Sequence, residues 1–423
     1  MNMTSTKKAH SNIAVIGAGA AGMFAACTLA ERGADVTLFE RNKDLGLKLG
    51  ITGKGRCNLT NNCDVRDFLS NVPVGQKFLY SALYTFTPQD TMKYFESLGV
   101  ELKTERGNRV FPASDKARDI VFALKNRLLA LGVKIVNARI TKLWRDADGI
   151  KGVYLDNKPC AFDKVIVCTG GKSYPKTGST GDGYELAKSC SHSVTELYGS
   201  LVPLETVGSL AKELQGLSLK NVKLSIIENT SGKTVYDDFG EMLFTHFGIS
   251  GPLVLSASSH LRKISKGQYD VSIDLKPSLD EKALDKRILS DFEKYKNKDL
   301  VNGLSDLLPI KMIRPFIALC GINERTKINS IDKESRKKMV ANLKDFRLTV
   351  KGRRDISEAI ITSGGVNTSE VDPKTMSSKL CKGLYFAGEV LDVDAYTGGF
   401  NLQIAFSTAY LAALDCTKGE ENE

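Results

Sequence analysis

NIAVIGAGAAGMFAACTLAERGADVTLFE, residues 12–40, is the stretch on which the fold turns. NIAVIG (12–17) is short, apolar and β-branched, and it reads as a buried parallel strand. GAGAAG follows, placing Gly17, Gly19 and Gly22 in the spacing G-x-G-x-x-G. MFAACTLAERG then predicts a helix that stops at Gly33, a residue suited to the left-handed turn at a helix C-terminus. ADVTLFE (34–40) is a second strand with an acidic last residue. Each glycine has its own task. Gly17 permits the tight turn, Gly19 lets the backbone approach a pyrophosphate, and Gly22 lets the helix pack closely on the strand. The helix start adds unpaired N–H groups and the positive end of a dipole. Glu40, 18 positions after Gly22, stands where a carboxylate accepts ribose hydroxyls. With all four elements in register, the pattern predicts a dinucleotide-binding unit.

Working outward, GLKLGITGKGRCNLTNNC (46–63) leaves the carboxyl end of the second strand and therefore faces the cofactor crevice. Its glycines, with Lys48, Lys54 and Arg56, suit a loop lying along a phosphate or a flavin ring. No metal site is expected, because five residues separate Cys57 from Cys63 and neither histidine nor a second close pair lies nearby. A redox dithiol would follow the pattern of flavin disulfide reductases. Those enzymes need a second nucleotide-binding βαβ unit, and no second fingerprint is present, so the dithiol is disfavoured.

Residues 64–131 read as mainly helical, with RGNRVFP as a polar turn. VKIVNARITKLWRDADGIKGVYLDNKPCAFDKVIVCTGG (133–171) reads as a β-meander returning through a strand that delivers Gly170 and Gly171 to the crevice. From 194 the character changes to antiparallel β, then to helices; Ser278 and Glu281 match a capping box, and Leu284, Ile288, Phe292 and Tyr295 form a core stripe at helical spacing. GLYFAGEVLD (383–392) and a closing helix in TGGFNLQIAFSTAYLAALD (397–415) return to the first pattern. The expected organisation is a split cofactor domain, 11–193 and 351–415, around an inserted substrate domain at 194–350, β over about 194–275 and helical over about 278–345.

The chain has 423 residues, net charge +10 and a pI near 9.0, a surplus that favours anionic partners such as a phosphorylated cofactor. Nine scattered cysteines, without a CxxC pair, fit reduced thiols in a cytoplasmic protein. The apolar run from Ile13 to Ala30 superficially resembles an export signal, but its glycines and the strand after it mark folded structure, and no segment reaches membrane-spanning length.

Taken together, GAGAAGM, TGKGRCNLTN, TGGKSYPKTGSTGDGYELAKSCSH, FTHFGISGP, ITSGGVNTSEVDPKTM and GLYFAGEVLDVDAYTGGFNLQIAFSTA resemble a bacterial flavoprotein family, that of aminoacetone oxidase-like and bile-acid dehydro-reductase-like proteins. It belongs to the wider glutathione-reductase and fumarate-reductase flavoprotein group. The resemblance covers residues 11 to 415 and implies an α/β fold: a glutathione-reductase-like FAD-binding Rossmann domain, split by an inserted β-barrel-like and helical domain. By position it implies Gly17, Gly19, Ala20, Ala21 and Gly22 on the FAD pyrophosphate and Glu40 on the adenosine ribose, with Arg41 and Lys48 also against the cofactor. Gly53, Arg56, Cys57 and Asn58 would line the flavin side, and Gly170 and Gly171 would close over the cofactor. Gly388 and Glu389 would reach ribityl or phosphate oxygens. Amides of Asn401, Leu402 and Gln403, starting the last helix, would stabilise negative charge on reduced flavin. One departure stands out: Ala395 occupies a position where the family commonly has glycine.

For proton handling the candidates are His246, Tyr396 and Arg56, with Tyr174 comparable. No histidine lies near the flavin loop, so non-covalent FAD is expected. Two functional classes follow. One is an FAD-dependent oxidoreductase acting on a small molecule, either oxidising an amine with O2 or reducing an activated C=C bond with NAD(P)H as a transient donor. The other is a flavoprotein that binds RNA; the basic runs KGRRDISE and ESRKKMVANLKD carry no interleaved aromatics, so nucleic acid is the disfavoured partner.

Overall fold

The structure is a computed structural model and describes residues 11–261 and 264–418. The chain divides into two compact units, with seams at Ser200/Leu201 and Asp355/Ile356. These seams differ from the expected 194 and 350 because of strand pairing. Tyr198–Ser200 pairs with Ile361–Ser363 in the first unit, while Arg353 still pairs with Leu204 in the second.

The first unit is built on five parallel strands: β1 (Asn12–Ile16), β2 (Asp35–Glu40), β3 (Lys134–Asn137), β4 (Lys164–Val167) and β5 (Leu384–Phe386). Their order across the sheet is β5-β4-β1-β2-β3. The chain moves outward from β1 to β2 and β3, then returns to the other side of β1 as β4. That reversal opens a crevice at the carboxyl ends of β1 and β4. Helix α1 (Ala20–Glu31) joins β1 to β2 and packs against the last helix, α2 (Phe400–Cys416). Both are apolar nearly all round, which fits helices enclosed between sheet and neighbours. Phe24, Phe86, Phe95, Phe406 and Tyr410 interlock between them.

A smaller antiparallel sheet sits beside this layer: Thr60–Asn61, Arg109–Pro112 and Leu102–Glu105. The stretch read as a polar turn, RGNRVFP, is thus the tip and second strand of a hairpin. Gly107 and Asn108 both take left-handed angles, φ 76° and 58°, as a tight hairpin turn demands. The meander expected within 133–171 is present as Leu143–Asp146, Gly149–Leu155 and Lys158–Ala161.

The second unit is a closed six-stranded barrel with six α-helices among the described residues. Its strands are Leu204–Thr206, Ser218–Glu228, Thr234–Phe244, Gly248–Ser250, Tyr269–Asp274 and Phe346–Arg353. Alternating Leu224, Ile226, Val271, Ile273, Leu348 and Val350 fill the interior. Leu284, Ile288 and Phe292 are buried along helix Glu281–Lys294, as the helical spacing predicts. The cap differs: Asp280, not Ser278, accepts from the Ala283 N–H and starts the helix. KGRR (351–354) is the end of a barrel strand rather than a free basic run, since Lys351 and Arg354 both bind Glu205. Among the described residues no helix is long and apolar enough to cross a membrane.

Candidate cofactor and substrate site

Strand β1 delivers Gly17 to the crevice at φ 97°, with its N–H donating to the Phe39 carbonyl at 2.8 Å. A Cβ on Gly17 would lie 2.7 Å from the Cys168 carbonyl oxygen, and one on Gly22 would overlap the Gly17 carbonyl. Both glycines are therefore demanded by the protein's own packing. Gly19 is not. Its φ of −80° suits any residue, and a Cβ there would meet nothing within 4 Å. The first backbone bond of α1 runs from Met23 N–H to Gly19 C=O, so the N–H groups of Ala20, Ala21 and Gly22 have no helical partner. An open backbone leading into three free amides at a helix N-terminus fits a pyrophosphate.

Glu40, at the end of β2, is buried and holds this turn in place. Its Oε2 accepts from Ala18 N–H at 2.7 Å, and its Oε1 accepts from the Asn42 backbone and side-chain amides at 2.9 and 2.7 Å. A carboxylate keeps lone pairs beyond these three bonds, enough for a ribose hydroxyl. Arg41 turns elsewhere. Its guanidinium binds Thr180 Oγ1 at 2.6 Å and Asp182 at 3.2 Å, tying the loop before helix Asp182–Ser189 to the end of β2.

The 46–58 loop coils tightly, with Gly53 at φ 56°, Lys54 at 59° and Cys57 at 58°. Arg56 is committed within the protein: it binds Glu105 at 2.5 Å and Asp115 at 2.6 Å, and its guanidinium lies 4.2 Å from the centre of the Phe111 ring. These bonds make it an anchor for the loop, and the two carboxylates push its pKa still higher, so that it holds its proton. The Cys57 thiol is fully buried, and burial pushes its pKa up to about 12. It is a packed, neutral thiol. All nine cysteines are free thiols. With its amide oriented to satisfy both ends, Asn58 donates to the Thr60 and Val110 carbonyls at 3.2 Å and accepts from Gly399 N–H at 3.0 Å. It thereby fastens the loop to the start of α2.

Gly171 and Gly388 bring the remaining walls together. A Cβ on Gly171 would collide with the Thr362 hydroxyl and come within 2.9 Å of Glu389, and one on Gly388 would approach Ala21 of α1 to 2.8 Å. Gly170, at φ 71°, faces Ser179. Glu389 collects Lys48 Nζ at 2.6 Å, Thr362 N–H at 2.9 Å and Ser173 Oγ at 3.0 Å.

At the start of α2, Gln403 N–H already donates to Gly399 C=O, and its buried side chain is bonded to Thr60, Phe86 and Ser407. The unpaired amides are those of Phe400, Asn401 and Leu402, one residue earlier than expected. The Asn401 side chain clasps Ala395 through both N–H and C=O, at 3.0 and 2.7 Å. Ala395 is buried and does not have a positive φ, so alanine fits there without strain.

These features form one constellation: two helix N-termini, a glycine turn with open backbone, a buried acid at the end of β2 and a coiled loop. The model of the HI0933-like protein Rossmann domain matches residues 11–415. The chain belongs to this HI0933-like family. It is 31% identical over 95% of its length to the 3-dehydro-bile acid delta(4,6)-reductase of Clostridium scindens, of which it covers 97%. It is 33% identical over 97% of its length to the ribosomal RNA dihydrouridine synthase of Haemophilus influenzae, of which it covers 99%. The 3-ketosteroid-delta4-(5alpha)-dehydrogenase structure from Rhodococcus jostii RHA1 shares the fold, with a TM-score of 0.52, 14% identity and 98% coverage of both chains. The protein is an FAD-dependent oxidoreductase with an FAD-binding Rossmann domain.

In this HI0933-like chain the proton-handling candidates are scattered. His246 is an exposed turn residue of the barrel unit, its ring 4.9 Å from that of Phe247. Tyr396 lies in the crevice unit, its N–H donating to Asn71 C=O at 3.0 Å. Tyr174 is 36% exposed with φ 53°, ahead of a short 3-10 turn. Sequence reasoning missed the hairpin tip and the cleft it borders, a cavity of about 430 Å3 lined by residues including Asn61, Asn71, Asn108, Arg109, Thr397 and Phe400. The Gly-Asn pair between strand-like flanks was the signal available for it.

Proposed function

We propose that the protein reduces a carbon–carbon double bond conjugated to a carbonyl, using FAD held non-covalently and NAD(P)H as a transient donor. When bound and reduced by NAD(P)H, FAD would supply hydride to the electron-poor carbon, with a proton completing the neighbouring carbon. The chain's own residues do the rest: Gly19 and the α1 amides hold the pyrophosphate, Glu40 the ribose, and the Phe400–Leu402 amides place a positive dipole end where negative charge accumulates. The absence of histidine among these cradle residues supports non-covalent binding.

The observation that carries the choice of reduction over amine oxidation is the chemistry shared by the two relatives' names. A 3-dehydro delta(4,6) substrate and a uridine both present a C=C bond conjugated to C=O. Anaerobic mixing with NADH or NADPH should bleach the flavin band, and an enone acceptor should restore it faster than air does. Reoxidation by O2 that outpaces every unsaturated acceptor would favour the amine oxidase reading instead.

A second reading, in which the reducible ring belongs to RNA, is favoured by the net charge of +10, most of which falls in the inserted unit. The ribosomal RNA relative supports it. A free small molecule is the alternative substrate form.

A further inference from the structure

We infer that Cys190 and Cys381 are a peroxide-sensitive dithiol that closes to a disulfide and staples together the two sequence halves of the first unit. In the chain they stand on either side of the inserted unit; in the fold they meet. None of the cofactor-cradle residues takes part.

A small polar network holds the two cysteine segments in place. Cys190 ends helix Asp182–Ser189, its N–H donating to Ala187 C=O at 2.9 Å. Cys381 lies in the turn ahead of β5, its N–H donating to Ser378 Oγ at 2.8 Å. Ser378 Oγ in turn hydrogen-bonds His192 Nε2 at 2.7 Å. Ser193 donates through its N–H and its hydroxyl to Glu370, at 2.8 and 2.7 Å. Between these anchors the Cys190 and Cys381 thiols hydrogen-bond to each other. Both are buried, yet each has an exposed chain neighbour: Ser191 on one side, Leu380 and Lys382 on the other. A small neutral oxidant has only that one layer to cross.

Burial pushes the thiols of Cys27, Cys57, Cys63, Cys168 and Cys320 up and keeps them protonated. Cys190 goes the other way. The hydrogen bond from Cys381 draws it below the ordinary thiol value, with help from Ser189 and from the positive charge of Arg145. Cys381 keeps its proton, held by the same bond and by burial. A thiolate beside a thiol is the arrangement that disulfide formation needs. Cys381 precedes β5, whereas the crevice lies at the carboxyl ends of the strands, so the dithiol sits at the far end of the sheet from the cofactor site. Its chemistry is therefore separate from that of the flavin.

The oxidant is hydrogen peroxide. The Cys190 thiolate attacks one peroxide oxygen: an S–O bond forms, the O–O bond breaks, and the departing hydroxide becomes water with the proton that Cys190 had released. The Cys381 sulfur then attacks the Cys190 sulfur. The S–S bond forms, the S–O bond breaks, and the second hydroxide leaves as water with the Cys381 proton. The two sulfurs lose two electrons in all, and peroxide gains them. The closed disulfide loops the chain around the whole inserted unit, so the unfolded chain gains less freedom and the folded first unit is favoured.

The test treats the FAD-replete full chain with equimolar hydrogen peroxide near neutral pH. Peptide mapping by mass spectrometry should find Cys190 linked to Cys381, with two of the nine thiols lost and both restored by dithiothreitol. The treated protein should melt higher by roughly 5 °C, and Cys190→Ser should show neither the link nor the shift. Cys381→Ser, which removes the second thiol, should leave Cys190 as a sulfenic acid that dimedone captures; it also serves if Cys190→Ser melts early. A wild-type map with both thiols still reduced would overturn the dithiol. So would a link to another cysteine, or oxidation of Cys190 to a sulfinic acid without any link. A disulfide that leaves the melting temperature unchanged would overturn the staple.

Discussion

Lys48 and Glu389, separated by 341 positions in the chain, meet at 2.6 Å on the wall of the cofactor crevice. The lysine comes from the loop after β2, the glutamate from the end of β5. Their contact joins the two sequence halves that the inserted barrel unit separates. Glu389 also receives Thr362 N–H and Ser173 Oγ, so it is the larger hub.

Glu389→Ala should therefore destabilise the first unit by about 1–3 kcal/mol, because it takes the acceptor from the Thr362 amide and leaves the Lys48 ammonium with Ser173 Oγ alone. Lys48→Met should cost less, since Glu389 keeps two donors. Thermal melting and flavin content measured together check this. Equal effects from the two variants would contradict the hub.

Gly19 and Gly22 should part company on substitution. Gly19→Val puts its side chain into open space and leaves the protein folded, but it blocks the pyrophosphate approach; the expected product is a well-folded, colourless protein. Gly22→Ala collides with the Gly17 carbonyl and should lower stability as well as flavin content. Circular dichroism with flavin absorbance separates the outcomes. Full flavin occupancy in Gly19→Val would remove the pyrophosphate assignment.

Burial sets the behaviour of Cys57 with pH. Its folded pKa, about 12, lies above the ordinary 9.0, so the protonated thiol is favoured in the folded state. Below pH 9 the group contributes no pH dependence; above it the unfolded chain loses its proton first, and stability falls as pH climbs toward 12. Cys57→Ala should flatten part of that alkaline decline. Native Cys57 should also resist thiol reagents near pH 8, and rapid labelling there would contradict its burial.

Glu205 predicts the opposite limb. Hydrogen bonds from Lys351 and Arg354 hold its carboxyl below the ordinary 4.5. The resulting stability is present above that pH and is lost as pH falls through the depressed value. Glu205→Gln should cost roughly 0.5–1 kcal/mol near neutrality, in keeping with partly exposed pairs. It should also weaken the acid dependence of barrel unfolding. Unchanged acid titration would argue against the pairing.

Ala395→Gly tests the family departure. The backbone is not left-handed there, so glycine brings only extra freedom to the unfolded chain and should destabilise by about 0.5–1 kcal/mol. Flavin content should not change. A gain in stability would mean the position prefers a glycine conformation.

Local chemistry made much of this protein legible in one dimension. The 12–40 segment carries its strand, turn, helix and acid in consecutive residues. The stripe Leu284, Ile288 and Phe292 was readable for the same reason, since helical periodicity is a short-range signal. The RGNRVFP hairpin was not, because its first strand, Leu102–Glu105, carries charges and is only partly buried, which blurs the alternation of a strand.

What the sequence determined by itself is the dinucleotide turn, the glycine-rich loop and the return of the chain to its first sheet, all written in residues close together. Tertiary structure alone decided how the side chains are used. Arg56 and Arg41 look available for a cofactor in the sequence, yet distant carboxylates claim them. The side chain of Gln403 likewise goes to the buried partners Thr60, Phe86 and Ser407, groups far away in the chain. Arg109 shares Glu105 with Arg56, at 4.0 Å against 2.5 Å. Such competition depends on which groups come within about 3 Å of one another. Chain order does not encode that distance; the packing of strands and helices sets it.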